Sequence, residues 1–333
     1  MRKRSLLQGT AAAAVLAVTG QAFGSEKTVR FAYQDMPVPL RLVMESGEVE
    51  KATGYKIDWR MYSGGADVIG AMGAGEVQLG EVGSSPLTAA ATQGQDIKLF
   101  WISADIADAE ALVARDGSNI TNFKDLVGKR IGVPFLSTAH YQLIAALNNE
   151  GVDPKRVIIM NMRPPEIAKA WDSGDIDATF VWDPVLGKVK KSGKVIATSG
   201  SIAQMGFLTY EGIAVNGKWA KENPEFMIAL VRALDRASTQ VRGDLKRWTP
   251  DSVQIKAIAK WSKADAKDVP ASMALYRFPS AEEQLSTRWL DGWASTAMKF
   301  TAAFLKWQGK VQSVKPDYTS FVTTEYVKKA LGR

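Results

Sequence analysis

Ser137, Thr138 and His140 stand together in Phe135-Leu136-Ser137-Thr138-Ala139-His140-Tyr141, where two kinds of chemistry are open to them. Hydroxyl residues at a helix start cap it, and the unpaired N–H groups behind them form the positive end of the helix dipole, a ready anion site. An imidazole one turn further in could add a donor or act as a base. Ser84 and Ser85 repeat the hydroxyl pair ahead of Pro86, a residue suited to the first turn of a helix. Each pair, taken alone, could equally be a plain cap over a core. Other chemistry falls away: the chain has 333 residues with no cysteine, so disulfides, thiolate metal sites and cysteine nucleophiles are excluded. His140 is the one histidine, which rules out a histidine-rich metal centre. No Walker-type loop is present, and no metal or cofactor is expected.

The elements that must position these residues are legible around them. Ile131 and Val133 suit a strand, and Pro134 ends its ladder for want of an N–H. Leu143, Ile144 and Leu147 then fall on one face of a helix that Gly151 is placed to stop. Strand–helix alternation runs from Thr28 to Ala114 and restarts at Lys129. Gly75-Glu76-Val77-Gln78 matches Gly174-Asp175-Ile176-Asp177 at an offset of 99, and the strands at Val29 and Ile131 match at 102. The third strand of each half ends in a proline loop, Ser84-Ser85-Pro86 and Trp182-Asp183-Pro184. The expectation is an α/β chain of two like lobes: 25–115 and 213–333 forming the first, 116–212 the second. Alternation implies parallel sheets, whose ligands sit beyond the carboxyl ends of the strands. Gln34-Asp35, Ser63 to Gly65, Ser84-Ser85, Phe135 to His140 and Trp182-Asp183 are therefore the candidate loops of a cleft between lobes. After Val215 the chain reads as helical, including one long helix from Ala281 to Gln308; its recurring aromatics, among them Trp293, Phe300 and Trp307, are read as a packing face.

Arg2, Lys3 and Arg4 before the apolar run Leu6 to Val18, with Ala22-Phe23-Gly24 behind it, read as a secretory leader cleaved after Gly24, hence residues 1–24. The run is too short for a membrane span, and the absence of cysteine excludes a lipoprotein anchor. An exported, soluble, periplasmic protein is expected, with the Sec and Tat routes both open. The formal charge is +7, of which Arg2, Lys3 and Arg4 supply three, leaving +4 spread among acids. No basic stripe with interleaved aromatics marks a nucleic-acid surface.

Gly83-Ser84-Ser85-Pro86-Leu87, Gly128 to Phe135 with Ser137 to Tyr141, Gly174-Asp175-Ile176-Asp177 and Val181-Trp182-Asp183-Pro184 together resemble the sulfonate, nitrate and taurine solute-binding proteins of ABC importers, and most of all their taurine-binding branch. The likeness runs from about Val29 to Val322. It implies a type II periplasmic binding protein with two Rossmann-like lobes, no catalysis, a monomer, and delivery of a small ligand to a membrane permease driven by a separate ATPase. It also implies the site. A sulfonate would sit on the helix starts at Ser84-Ser85 and Ser137-Thr138, with His140 either touching the ligand or bracing the turn. Trp182 would wall the linker or cover an ammonium, and Glu211, Asp183, Asp108 or Asp35 would pair with that ammonium. Gln34 belongs to the same set of loops. The chain departs from the taurine branch in having Thr209-Tyr210-Glu211-Gly212-Ile213 where that branch carries Thr-Leu-Asp-Val-Trp, and in Asp183 where it carries a neutral residue. Taurine or a related aminosulfonate is the expected ligand. The alternatives are other aliphatic sulfonates, a related zwitterion, or an enzyme resembling the thiamine-pyrimidine synthases on the same fold.

Overall fold

The structure is a computed structural model that describes residues 27–333; the leader expected at 1–24 lies outside the described residues. The chain folds into two α/β lobes, each built on a five-stranded sheet. The first lobe opens with β1 (Lys27–Tyr33), α1 (Leu40–Ser46), α2 (Glu48–Thr53), β2 (Tyr55–Met61), α3 (Gly65–Gly73), β3 (Leu79–Gly83), α4 (Ser84–Thr92) and β4 (Ile97–Asp105). The second holds β5 (Glu110–Arg115), β6 (Arg130–Val133), α5 (Thr138–Asn149), β7 (Ile158–Asn161), α6 (Pro164–Ser173), β8 (Ala178–Trp182), α7 (Val185–Val189), β9 (Gly193–Thr198) and α8 (Ser199–Ala203). The chain then returns through β10 (Tyr210–Asn216). A helical run follows: α9 (Gly217–Glu222), α10 (Pro224–Asp244), α11 (Val253–Ser262), α12 (Val269–Met273), α13 (Ala281–Gln284), α14 (Trp293–Trp307) and α15 (Glu325–Ala330).

The sheet orders are β2-β1-β3-β10-β4 and β7-β6-β8-β5-β9, the same pattern twice. In each, four of the five strands run in one direction, and the fourth in the order lies antiparallel between its two neighbours. The all-parallel expectation is corrected there: β5 and β10 are the strands along which the chain enters a lobe from the other one. Placing residues up to 115 in the first lobe is corrected by the same pairing. β5 bonds to β8 and β9, so the chain crosses before Glu110. Likewise β10 pairs from Tyr210 onward with β4 in the first sheet, so the return precedes 213. The error has a physical source: an apolar strand carries no mark of which sheet it joins, because pairing is non-local.

The helix expected from Ala281 to Gln308 is two. Ser280 and Glu283 form a capping box that starts α13, and the chain then turns so that Trp289 and Leu290 are buried before α14 begins after Gly292. One apolar cluster runs from the first sheet through the C-terminal helices into the second lobe, and a smaller one lies under β8 and α7. Among the described residues no helix is long and apolar enough to cross a membrane.

Candidate functional site

The carboxyl ends of β1, β3 and β8 and the starts of α4 and α5 converge on one cavity. Gln34, Met36, Gly65, Gly83, Pro86 and Glu211 line it from the first lobe, and Glu110, Ser137, Thr138 and Trp182 from the second. With the lobes as drawn the cavity is about 10 Å3, room for one water. No lysine, arginine or histidine lines it. Among the described residues no cluster of His, Cys, Asp and Glu is placed to hold a metal ion.

Register explains two of the walls. Glu211 lies opposite Gly83 across β10 and β3, and Glu110 opposite Trp182 across β5 and β8. The two glutamates are equivalent positions of the two lobes. They stand 101 residues apart, inside the repeat offsets of 99 and 102, and each lies at the start of the antiparallel strand of its sheet, Glu110 first in β5 and Glu211 second in β10. Both are buried. Glu110 takes hydrogen bonds from Thr138 Oγ1 (2.5 Å) and Ser199 Oγ (3.2 Å), and burial still pushes its carboxyl up to about 7. Glu211 accepts one long bond from Gln34 Nε2 (3.4 Å); burial, reinforced by Glu81 and Glu110, raises it well above the ordinary carboxylate range. A third buried carboxylate, Glu81, is paired with Arg41 at 2.6 Å and accepts the Gln34 N–H at 3.0 Å. The pocket therefore holds two buried carboxyls with neutral donors only, and burial disfavours the charged form of each until a cation arrives.

The opposite wall is made of helix starts. Ser137 caps α5, its Oγ accepting the His140 N–H (3.1 Å) and donating to Pro134 O (2.6 Å). The first N–H groups of α5 remain without intrahelical partners at the cavity edge. α4 starts one residue earlier than a serine cap would place it: Gly83 is its N-cap and no side chain caps it. Ser84 Oγ accepts from Tyr210 N (3.4 Å), and Ser85 Oγ is buried with no partner. Gly83 and Pro86, rather than the two serines, reach the cavity.

Of the residues expected at the site, Gln34, Ser137, Thr138, Trp182 and Glu211 line the cavity. Asp35 sits beside it, accepting Trp182 Nε1 across the two lobes at 3.2 Å, and burial raises its carboxyl to about 6 against that bond. Ser84 and Ser85 lie behind the wall. Asp183 is turned away, accepting the Gly187 N–H at 2.6 Å. Asp108 is exposed and accepts Thr198 Oγ1 at 2.6 Å, tying the outgoing crossing to the start of α8. His140 is not among the residues that line the cavity; it stacks on Phe135 (4.5 Å, 17°), and its Nδ1 accepts from Leu136 N at 3.4 Å. Sequence reasoning missed Glu110, Arg41, Glu81 and Met36. The repeat offset already pointed to Glu110 as the partner of Glu211.

Two consequences are measurable. Burial, with the nearby Lys310 charge, lowers the His140 pKa from 6.5 to about 4. Between those values the unfolded chain binds a proton that the native state refuses, so this residue's contribution falls as pH drops through the window, by about 3 kcal/mol at most. The stability difference between parent and His140→Phe, measured by urea unfolding, should therefore shift in the variant's favour from pH 7 to pH 4. A flat difference would place the imidazole in water. The second concerns Gly83. A Cβ there would lie 2.9 Å from Thr138 Cγ2, which belongs to the other lobe, and 3.2 Å from Glu211 Oε2. Gly83→Ala should prop the lobes apart and cost ligand affinity roughly tenfold, the ~1–3 kcal/mol of an overpacked contact. Small-angle scattering should show incomplete closure at saturating ligand; full closure would contradict this.

At the cleft rim, Arg163 before α6 holds Asp67 of α3 through two bonds, 3.0 and 2.9 Å, a second contact across the lobes beside Trp182–Asp35. Arg163 is exposed and Asp67 half-buried, so the pair adds at most about 1 kcal/mol.

Comparison with known proteins places this geometry. Residues 51–244 match the family model described as NMT1/THI5 like. The chain is 36% identical over 317 residues to the taurine-binding periplasmic protein of Escherichia coli (strain K12), covering 95% of this chain and 97% of that one. By structure it is similar to the alkanesulfonate-binding protein SsuA from Xanthomonas axonopodis pv. citri bound to MOPS, with a TM-score of 0.71, 21% identity, and coverage of 89% and 98%. It is also similar in fold to the desulfurization enzyme DSZB, with a TM-score of 0.63, 17% identity, and coverage of 92% and 99%. The two-lobed α/β fold is thus that of periplasmic binding proteins, and it also carries an enzyme. The chain belongs to the NMT1/THI5-like family.

Proposed function

We propose that the protein is the periplasmic ligand-binding subunit of an ABC importer and that it captures taurine or a closely related aminosulfonate. The observation that carries this reading is the pairing, in one cavity, of two buried carboxyls lacking a cation with helix starts lacking an anion. A short zwitterion completes both. Its sulfonate meets the N–H groups at the starts of α4 and α5 and the Ser137-Thr138 edge. Its ammonium meets Glu211 and Glu110, with Gln34 alongside, and Trp182 covers the linker. A ligand of this size enters with the lobes further apart than drawn. Closure around it supplies the signal that a permease and its ATPase read. The protein acts as a monomer after export, and it does no chemistry on its ligand: Ser137 Oγ donates to a backbone carbonyl rather than to a base.

A sulfonate without an amine would leave both glutamates unpaired, which sets the aliphatic-sulfonate reading second. A larger cationic head in place of the simple ammonium remains compatible with two carboxylates.

Titration calorimetry tests the proposal directly. Taurine should bind one to one and ethanesulfonate at least tenfold more weakly. Taurine binding should release protons and strengthen from pH 5.5 to pH 8, as Glu110, near 7, ionises. Equal affinity for both ligands, or binding that is flat across that range, would sink it.

A further inference from the structure

A second cavity lies outside the cleft, walled by the end of α10, the segment from α12 to Pro279, and Trp289. Its volume is about 750 Å3, within the range of small-molecule sites, and it shares no residue with the cleft. Its apolar lining comes from Val241, Trp248, Met273, Tyr276, Phe278 and Trp289. Four cations stand on it: Arg242, Lys246, Arg277 and Arg288. The two carboxylates that also line it are already engaged. Asp105 holds Arg288 at 3.3 Å, and Glu283 accepts the Ser280 N–H at 2.6 Å in the capping box. Arg242 donates only to neutral acceptors, Phe278 O (3.0 Å) and Thr239 Oγ1 (2.8 Å). Arg277 and Lys246 are exposed and pair with no carboxylate among the described residues.

We propose that this cavity is an accessory binding site for an amphiphilic anion, an aliphatic or aromatic chain of moderate length ending in a carboxylate or sulfonate. The apolar chain lies against the Trp248, Trp289 and Phe278 surfaces, and the head group meets the Arg277, Lys246 and Arg242 charges. The chemistry differs from the cleft in sign and in shape. The cleft is small and lined by carboxylates, whereas this cavity is large, apolar and rimmed by cations. The site is also tied to the crossing between lobes. Asp105 and Arg277 exchange backbone bonds (2.8 and 3.1 Å), and Asp108 N donates to Leu275 O (3.1 Å).

Decanoate is the test ligand, because it carries no sulfonate for the cleft. Decyltrimethylammonium, with the same tail and the opposite charge, is its control. Calorimetry on the full mature protein, below the micelle concentrations, should give one decanoate per chain, unchanged by excess taurine, and at least tenfold weaker binding of the ammonium. Arg277→Glu should weaken decanoate at least tenfold. Ala274→Trp, which places a bulky ring on an exposed wall of the cavity, should abolish it. Both variants should keep the parent melting temperature and taurine binding, which confirms that they fold. Absence of decanoate binding, displacement by taurine, equal binding of the cationic amphiphile, or unaltered binding by both folded variants would each overturn the proposal.

Discussion

Glu211→Gln should lose taurine and gain stability in the same protein. The side chain is buried, receives a single long bond from Gln34, and has two further carboxylates in its field. In the free protein this makes it a cost at any pH where it is ionised. With the native pKa raised above that of the unfolded chain, the contribution is favourable at low pH and is lost as pH rises through the native value. Glutamine removes that pH-dependent cost. The variant should therefore melt above the parent at pH 8, and the gap should narrow at pH 5, where the parent carboxyl is protonated. Ligand binding moves the other way. On the proposed function the ammonium pairs with Glu211, and truncating one side of a buried charge pair costs roughly 3 kcal/mol, about a hundredfold in affinity. Ethanesulfonate, which has no amine, should bind the variant as well as or better than the parent. If taurine and ethanesulfonate fall together, Glu211 shapes the pocket without meeting a cation. If only Glu110→Gln reproduces the taurine loss, the amine belongs to the second-lobe carboxylate instead.

What could be read from the sequence divides by range. The start of α5 was legible because its signals are local: a proline ending β6, a serine cap, an apolar face one turn on. The twin-lobe pattern was legible because Gly75 and Gly174 punctuate equivalent turns. The serines of α4 were misjudged by one residue, since Gly83 in extended conformation already serves as the N-cap and Ser84 enters the helix. Which carboxylates reach the cavity was not local at all. Asp183 and Asp108 sit in the right loops, yet each is taken by a donor close at hand, the Gly187 N–H and the Thr198 hydroxyl. Glu110 reads as the first residue of an ordinary strand, and only its pairing opposite Trp182 brings it to the cleft. Arg41 was invisible for the same reason. Inside an apolar helix face it looks like a surface residue, and its partner lies 40 positions away.

Arg41 carries the other large effect. It is fully buried on α1, where it holds Glu81 at 2.6 Å, Gln34 O at 2.9 Å and Met36 O at 3.0 Å, with its guanidinium 5.1 Å from the centre of the Tyr33 ring. It thus neutralises one of three clustered carboxylates and also pins the loop that brings Gln34 and Met36 to the cavity. Arg41→Met should cost about 3–5 kcal/mol by urea unfolding, because it strands a buried carboxylate. Arg41→Met with Glu81→Met should recover most of that loss, since removing both charges of a buried pair is far cheaper than removing one. Affinity separates the two roles. Glu81 raises the Glu211 pKa more than Arg41 lowers it, so removing both charges leaves Glu211 easier to ionise and does not by itself weaken an ammonium. The loop, however, still lacks its fastenings at Gln34 O and Met36 O. Taurine binding should therefore stay at least tenfold weaker in the double variant while stability returns. Full recovery of both would reduce Arg41 to a counter-ion, and recovery of neither would mean that the guanidinium's backbone bonds, rather than its charge, hold the first lobe together.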